Sequence, residues 1–135
     1  MKKRQIWIKT SFKGTHNWPE CPYEDVSFLR DRHFHIFHVK VTIDVEHNDR
    51  DIEFIRFKNF IDEAISHYGI QYGGNDVKEL GRMSCEDIAD DLHRAIESRY
   101  PDRSMVIDIS EDEHVGATII YESDYDQSGE ILGEL

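Results

Sequence analysis

The chain has 135 residues and a mass of 15.9 kDa, with 16 Lys+Arg against 28 Asp+Glu for a net charge of −12. This length fits one domain, and an apolar content of 39% can fill a modest core without disulfides. The acidic balance disfavours a phosphate-neutralising nucleic-acid surface and docking on anionic membrane, and no apolar run approaches the roughly 18 residues of a membrane span.

From the N-terminus, MKKRQIWIKTSF has no apolar signal core, because charge returns at Lys9. Gln5 to Phe12 alternates in part and predicts a strand. THNWPECPYED reads as a loop. His33 to Val45, HFHIFHVKVTIDV, is β-branched and aromatic and predicts a long strand. Its odd positions share one face, and the even face with His38, Lys40, Thr42 and Asp44 is expected to be wetter. EHNDRD is a turn. Glu53 to Tyr68 repeats apolar residues at helical spacing, at Phe54, Phe57, Ile61, Ala64, Ile65 and Tyr68. Gly69 to Gly81 reads as a glycine-rich loop. Ser84 is an N-cap candidate for a second helix to about Arg99, with Pro101 just beyond. Met105 to Ile109 and Ala117 to Tyr121 predict two more strands around the turn EDEHVG.

The order is β-β-α-α-β-β. The economical architecture is an α+β domain over residues 1–122, an antiparallel four-stranded sheet with both helices on one face. Residues 123–135 form an acidic tail. Two cysteines, Cys21 and Cys85, are too few for a disulfide scaffold and suit a reducing, cytoplasmic setting. Cys85, in the first turn of a helix, is a candidate for a lowered pKa.

Eight histidines are the outstanding feature. His33 and His35 lie two apart on a strand, so both side chains leave the same face. Such a pair supplies two metal ligands at little ordering cost, and His16 supplies a third if the first two strands pair antiparallel. The same pattern also fits two solvated strand histidines, and three imidazoles suit several divalent ions. His38, His47, His93 and His114 read as solvated residues, and His67 as a helix C-terminal residue facing the dipole.

Phe12 with His16, the Cys-containing loop 17–32 and His33-Phe34-His35 leading into alternating valines resemble the core motif of the 6-pyruvoyl- and 6-carboxy-tetrahydropterin synthase family. DIEFIRFK at 51–58, MSCEDIA at 83–89, VIDISE at 106–111 and the strand 117–121 resemble its further motifs in the same order, over roughly residues 6–122. The resemblance implies the tunnelling fold, subunits joined sheet to sheet as a homotetramer or homohexamer, and Zn2+ on His16, His33 and His35. It also implies a pterin- or purine-like ligand, with Glu111 clasping the ring and Ser84 in the place of a pterin-contacting threonine, where it is equally an N-cap.

Departures from the family concern its chemistry. Leu29 stands where the catalytic cysteine belongs, and Cys21, Glu20 and Glu24 are displaced. Asp31 is nearer the histidine pair. The Asp-His element after the first helix is missing, with only His67 as an imitation, and Phe34 replaces the glycine between the paired histidines. The expectation is a fold and metal retained with the lyase reaction changed or lost. The alternative is a binding protein that sequesters a purine nucleotide-derived ligand. The acidic surface disfavours a polyphosphate unless Arg30, Arg32, Arg56 or Lys58 gather at the mouth.

Overall fold

The computed structural model describes residues 2–67, the backbone of 70–71, and 76–124. Tyr68, the glycines at 69, 73 and 74, and the tail from 125 onward lie outside the described residues.

Strand β1 (Arg4–His16) pairs antiparallel with β2 (His33–Val45) along its whole length, from Arg4 opposite Val45 to His16 opposite His33. The intervening loop carries a 3-10 turn at Glu24–Arg30 that no periodicity announces. Helix α1 (Phe54–Ser66) follows, capped by the Glu53 carboxylate, which accepts from the Ile55 and Arg56 amides. Two short strands come next, β3 (Ile70–Gln71) and β4 (Val77–Gly81). Helix α2 (Cys85–Arg99) begins in a reciprocal capping box between Ser84 and Asp87. Strands β5 (Met105–Glu111) and β6 (Val115–Tyr121) close the fold.

The sheet has six strands in the order β3-β4-β1-β2-β5-β6. It is mixed rather than antiparallel throughout, because β4 runs parallel to β1. The four strands expected from the sequence are its β1-β2-β5-β6 portion, and the two added strands occupy the segment read as a loop. Their signal is masked by Lys78. It alternates with Val77 and Glu79 on an inward position, is 5% exposed, and donates to the carbonyl of Ser66, the last residue of α1. A lysine at a core position breaks the apolar period on which strand reading depends.

Both helices cover one sheet face. Phe37, Val39, Val41 and Ile43 of β2 and Ile107 and Ile109 of β5 pack against Phe57 and Ile61 of α1 and Ile88, Leu92 and Ile96 of α2. Each such side chain stabilises the fold by roughly 1.5–3 kcal/mol relative to exposure. Phe54, counted in the stripe of α1, is the first residue of the helix and is exposed. On the wetter face Asp44 is buried, with Gln5 donating to its carboxylate.

The core face of the sheet extends beyond the helices. At the start of β2 the apolar positions give way to His35 and His33 on the same face, and Phe37 is opposite Glu111. Opposite His35 stands Gly14, where a Cβ would lie 3.0 Å from both Phe37 and Leu80. A side chain there would press into the floor beneath the imidazoles.

Candidate metal centre

Strand register brings the histidines together. His16, the last residue of β1, is the cross-strand partner of His33, so their side chains leave the sheet together. His35 lies one pleat further along the same face. The three ring centroids stand 4.7, 4.9 and 5.4 Å apart. Phe37 presents its ring beneath His16 and His35 at 5.2 and 5.8 Å, both edge to face. Glu111, at the end of β5, completes the group, and one ligand atom from each of the four residues lies within 4.8 Å of the others.

The outer nitrogens fix the direction of each ring. His16 Nδ1 donates to the Met83 carbonyl at 2.7 Å, and His33 Nδ1 to the Asp31 carbonyl at 2.8 Å. His35 Nδ1 donates to the Asp112 carboxylate at 2.7 Å. All three partners accept only, so every Nδ1 carries a proton, and in the neutral tautomer this selects, each Nε2 lone pair turns inward. His16 Nε2 and His33 Nε2 are buried without a hydrogen-bond partner. Glu111 Oε2 is 2.8 Å from His16 Nε2 and 3.4 Å from His35 Nε2, but the nearer contact is not aligned as a hydrogen bond. Buried polar atoms left unpaired cost free energy, and a cation at their focus removes that cost. The donor set fits a divalent ion that takes imidazole nitrogen and carboxylate oxygen, and the cluster could hold a metal.

Beside the cluster lies a cavity of about 690 Å³, within the range of small-molecule sites. His16, His33 and Glu111 form part of its floor, Trp18 and Leu29 one wall, and the first turn of α2 another. Ser84 reaches this wall, with its hydroxyl accepting from the Asp87 amide as the N-cap. At the rim the Arg82 guanidinium donates to Glu20. Arg30, Arg32, Arg56 and Lys58 do not line the cavity. Arg30, Arg32 and Lys58 pair instead with Glu24, Glu79 and Asp62.

The remaining candidates fall elsewhere. Cys21 is buried, and its Sγ lies 3.8 and 3.9 Å from the Tyr23 and Val26 carbonyls inside its own loop. Cys85 lines the cavity, but burial pushes its thiol up to about 12, reinforced by the Glu111 and Glu86 charges. The lowering expected from a helix first turn is thus reversed, since desolvation and two carboxylates outweigh the dipole. His67 is the C-cap of α1, away from the cavity. His93, read as solvated, is partly buried and stacks on Tyr121 at 3.9 Å. Sequence reasoning missed Asp112, which accepts from both His35 Nδ1 and the Ile36 amide. Those bonds, the one from His35 first, hold its carboxyl below the usual range.

No family model matches the chain, and no curated protein matches it by sequence. Solved structures do share its fold. An uncharacterized protein, WS1659 from Wolinella succinogenes, matches with a TM-score of 0.64 at 16% identity, over 90% of this chain and 100% of that one. The 6-pyruvoyl tetrahydropterin synthase of Plasmodium vivax matches with a TM-score of 0.59 at 14% identity, over 90% and 99%. A catalytic-residue mutant of that synthase, with glutamate replaced by cysteine, gives 0.60 at 14% identity, over 90% of this chain and 99% of that one. No helix among the described residues is long and apolar enough to cross a membrane. The likeness to these proteins is one of fold, an α+β sheet-and-helix arrangement.

Proposed function

We propose that the chain is a divergent 6-pyruvoyl/6-carboxy-tetrahydropterin synthase-like protein that holds zinc on His16, His33 and His35. In this reading it binds a pterin- or purine-like molecule in the adjacent cavity without the family's proton transfers. The observation that carries the reading is the convergence of three inward Nε2 atoms, two of them buried and unsatisfied, beside a cavity of ligand size that His16 and His33 line. When bound, zinc supplies a Lewis acid that polarises a ligand oxygen. Glu111 offers a carboxylate to ring N–H groups, and Ser84 closes the wall at the α2 N-terminus. Loss of proton transfer is supported by the thiols: Leu29 lines the cavity wall, Cys21 is bound up in its loop, and the Cys85 thiol is held neutral. Assembly as a homotetramer or homohexamer and a cytoplasmic setting belong to the same proposal.

Native mass spectrometry followed by denaturation tests this reading. We expect about one zinc per chain in an oligomer, and a heterocycle released unchanged. Replacing His33 and His35 together by Ala should remove the metal and leave the far-ultraviolet circular dichroism as it was. Metal retained at one per chain in that variant refutes the ligand assignment. Turnover of dihydroneopterin triphosphate would replace the binding reading with a zinc-dependent lyase.

A further inference from the structure

We infer that Glu111 is the fourth ligand of the metal in the ligand-free protein, so that the centre rests closed, with no position open to water. The inference rests on the metal reading above and adds a residue to it.

Four atoms meet at this point, and with the imidazoles neutral all of them are acceptors. Each Nδ1 is committed as a donor to an acceptor-only partner, so the Nε2 atoms bring lone pairs. Glu111 brings a carboxylate oxygen to 2.8 Å from one and 3.4 Å from another. Lone pairs and an anionic oxygen repel at such distances unless a cation lies between them. Ligands about 2.0–2.2 Å from zinc in a tetrahedron stand roughly 3.4 Å from one another; Glu111 keeps that spacing from His35 and would move outward from its 2.8 Å approach to His16 as the ion enters.

The surroundings give Glu111 no competing cation. Among the described residues no lysine or arginine pairs with it, and the arginine at the cavity rim, Arg82, is taken by Glu20. Its backbone is held by register, opposite Phe37 on β2 and opposite Val115 on β6. The next residue, Asp112, is tied to His35 and Ile36, so the carboxylate and the imidazole it faces are carried by one clasped segment. A structural zinc site has four protein ligands, whereas a catalytic one keeps a position for water. Three histidines and a carboxylate make the closed kind. A cavity ligand that reaches the metal must then displace Glu111.

Cobalt substitution tests this, because its visible spectrum reports coordination without any turnover. Wild-type protein loaded with Co2+ should give the strong absorption of a four-coordinate site and should not respond to azide. E111A should bind Co2+ at least tenfold more weakly in competition with a chelator, and its spectrum should shift on azide addition. E111Q, nearly the same size, covers the case in which E111A fails to fold, and should shift likewise. A wild-type spectrum that responds to azide as strongly as that of E111A overturns the fourth-ligand assignment and leaves the metal reading standing. A wild type that takes up no Co2+ overturns both.

Discussion

Asp112 reaches His35 from an unusual backbone. It and Glu113 adopt positive φ, 55° and 62°, in a turn closed by the His114 amide donating to the Glu111 carbonyl. Aspartate tolerates that left-handed region better than most residues. The conformation lets Asp112 exchange bonds with Ile36, its amide donating to the Ile36 carbonyl while its carboxylate accepts from the Ile36 amide. The other carboxylate oxygen holds the His35 ring. D112N keeps the size and one acceptor but cannot accept from Nδ1 with its amide nitrogen. We expect metal affinity, read by chelator competition, to fall about 10–100-fold with the circular dichroism unchanged. At this scale His16, His33 and His35 are legible in the sequence, because an H-x-H on a strand fixes a shared face and antiparallel pairing supplies the third ring. Asp112 is not legible, because its role depends on a turn conformation and a contact 77 positions away in sequence.

Helix α2 shows what periodicity reveals and what it hides. Its cap, its span and its core stripe all follow from local chemistry, since Ser84, Asp87 and the 3.6-residue spacing act within a few positions of one another. Its link to β6 does not. His93 stacks on Tyr121, whose hydroxyl donates to Asp90 one turn earlier. Burial first, then the Asp90 hydrogen bond, raise the Tyr121 pKa, so the phenol stays protonated. Burial lowers the His93 pKa from its usual 6.5, against the opposing pull of Glu97 and Asp90. The neutral ring is therefore the folded form. Unfolded chains bind a proton here at a higher pH than folded ones, so stability is lost as pH falls below about 6.5 towards the folded value. In urea titrations at pH 7.5 and 5.5, H93F should lose less stability between the two pH values than the wild type. Equal losses would show that the stacked histidine takes up its proton as readily in the fold as in the unfolded chain. Strand β4 is the other hidden element, because its pairing with β1 is parallel and spans more than sixty residues of sequence.

Across the whole molecule, the end remote from the histidines is held by Arg103. It donates to the Asp51 carboxylate at 2.7 Å and to the Asp44 carbonyl at 3.0 Å, tying the approach to β5, the turn before α1 and the end of β2 into one junction. The Arg103 hydrogen bond, opposed in part by burial, keeps the Asp51 carboxyl below its usual 3.8. Its contribution is complete above that value and is lost as pH falls through the lower folded one. R103M should cost roughly 1–3 kcal/mol at neutral pH by denaturant unfolding, and less near pH 3, where the wild type has begun to lose the bond. The class of fold and most of the sheet could be read ahead because each of those strands carries its own alternation. The sixfold width could not, because it depends on strands too short or too charged to announce themselves. The thirteen-residue match of β1 to β2 has one more consequence. Strand faces alternate, so a slip of one residue would send His33 and His35 to the opposite side from His16. A hairpin slipped by one residue could then not grip an ion with all three rings, and binding one would act as a proofreader of strand pairing, stabilising the observed hairpin over those slipped copies.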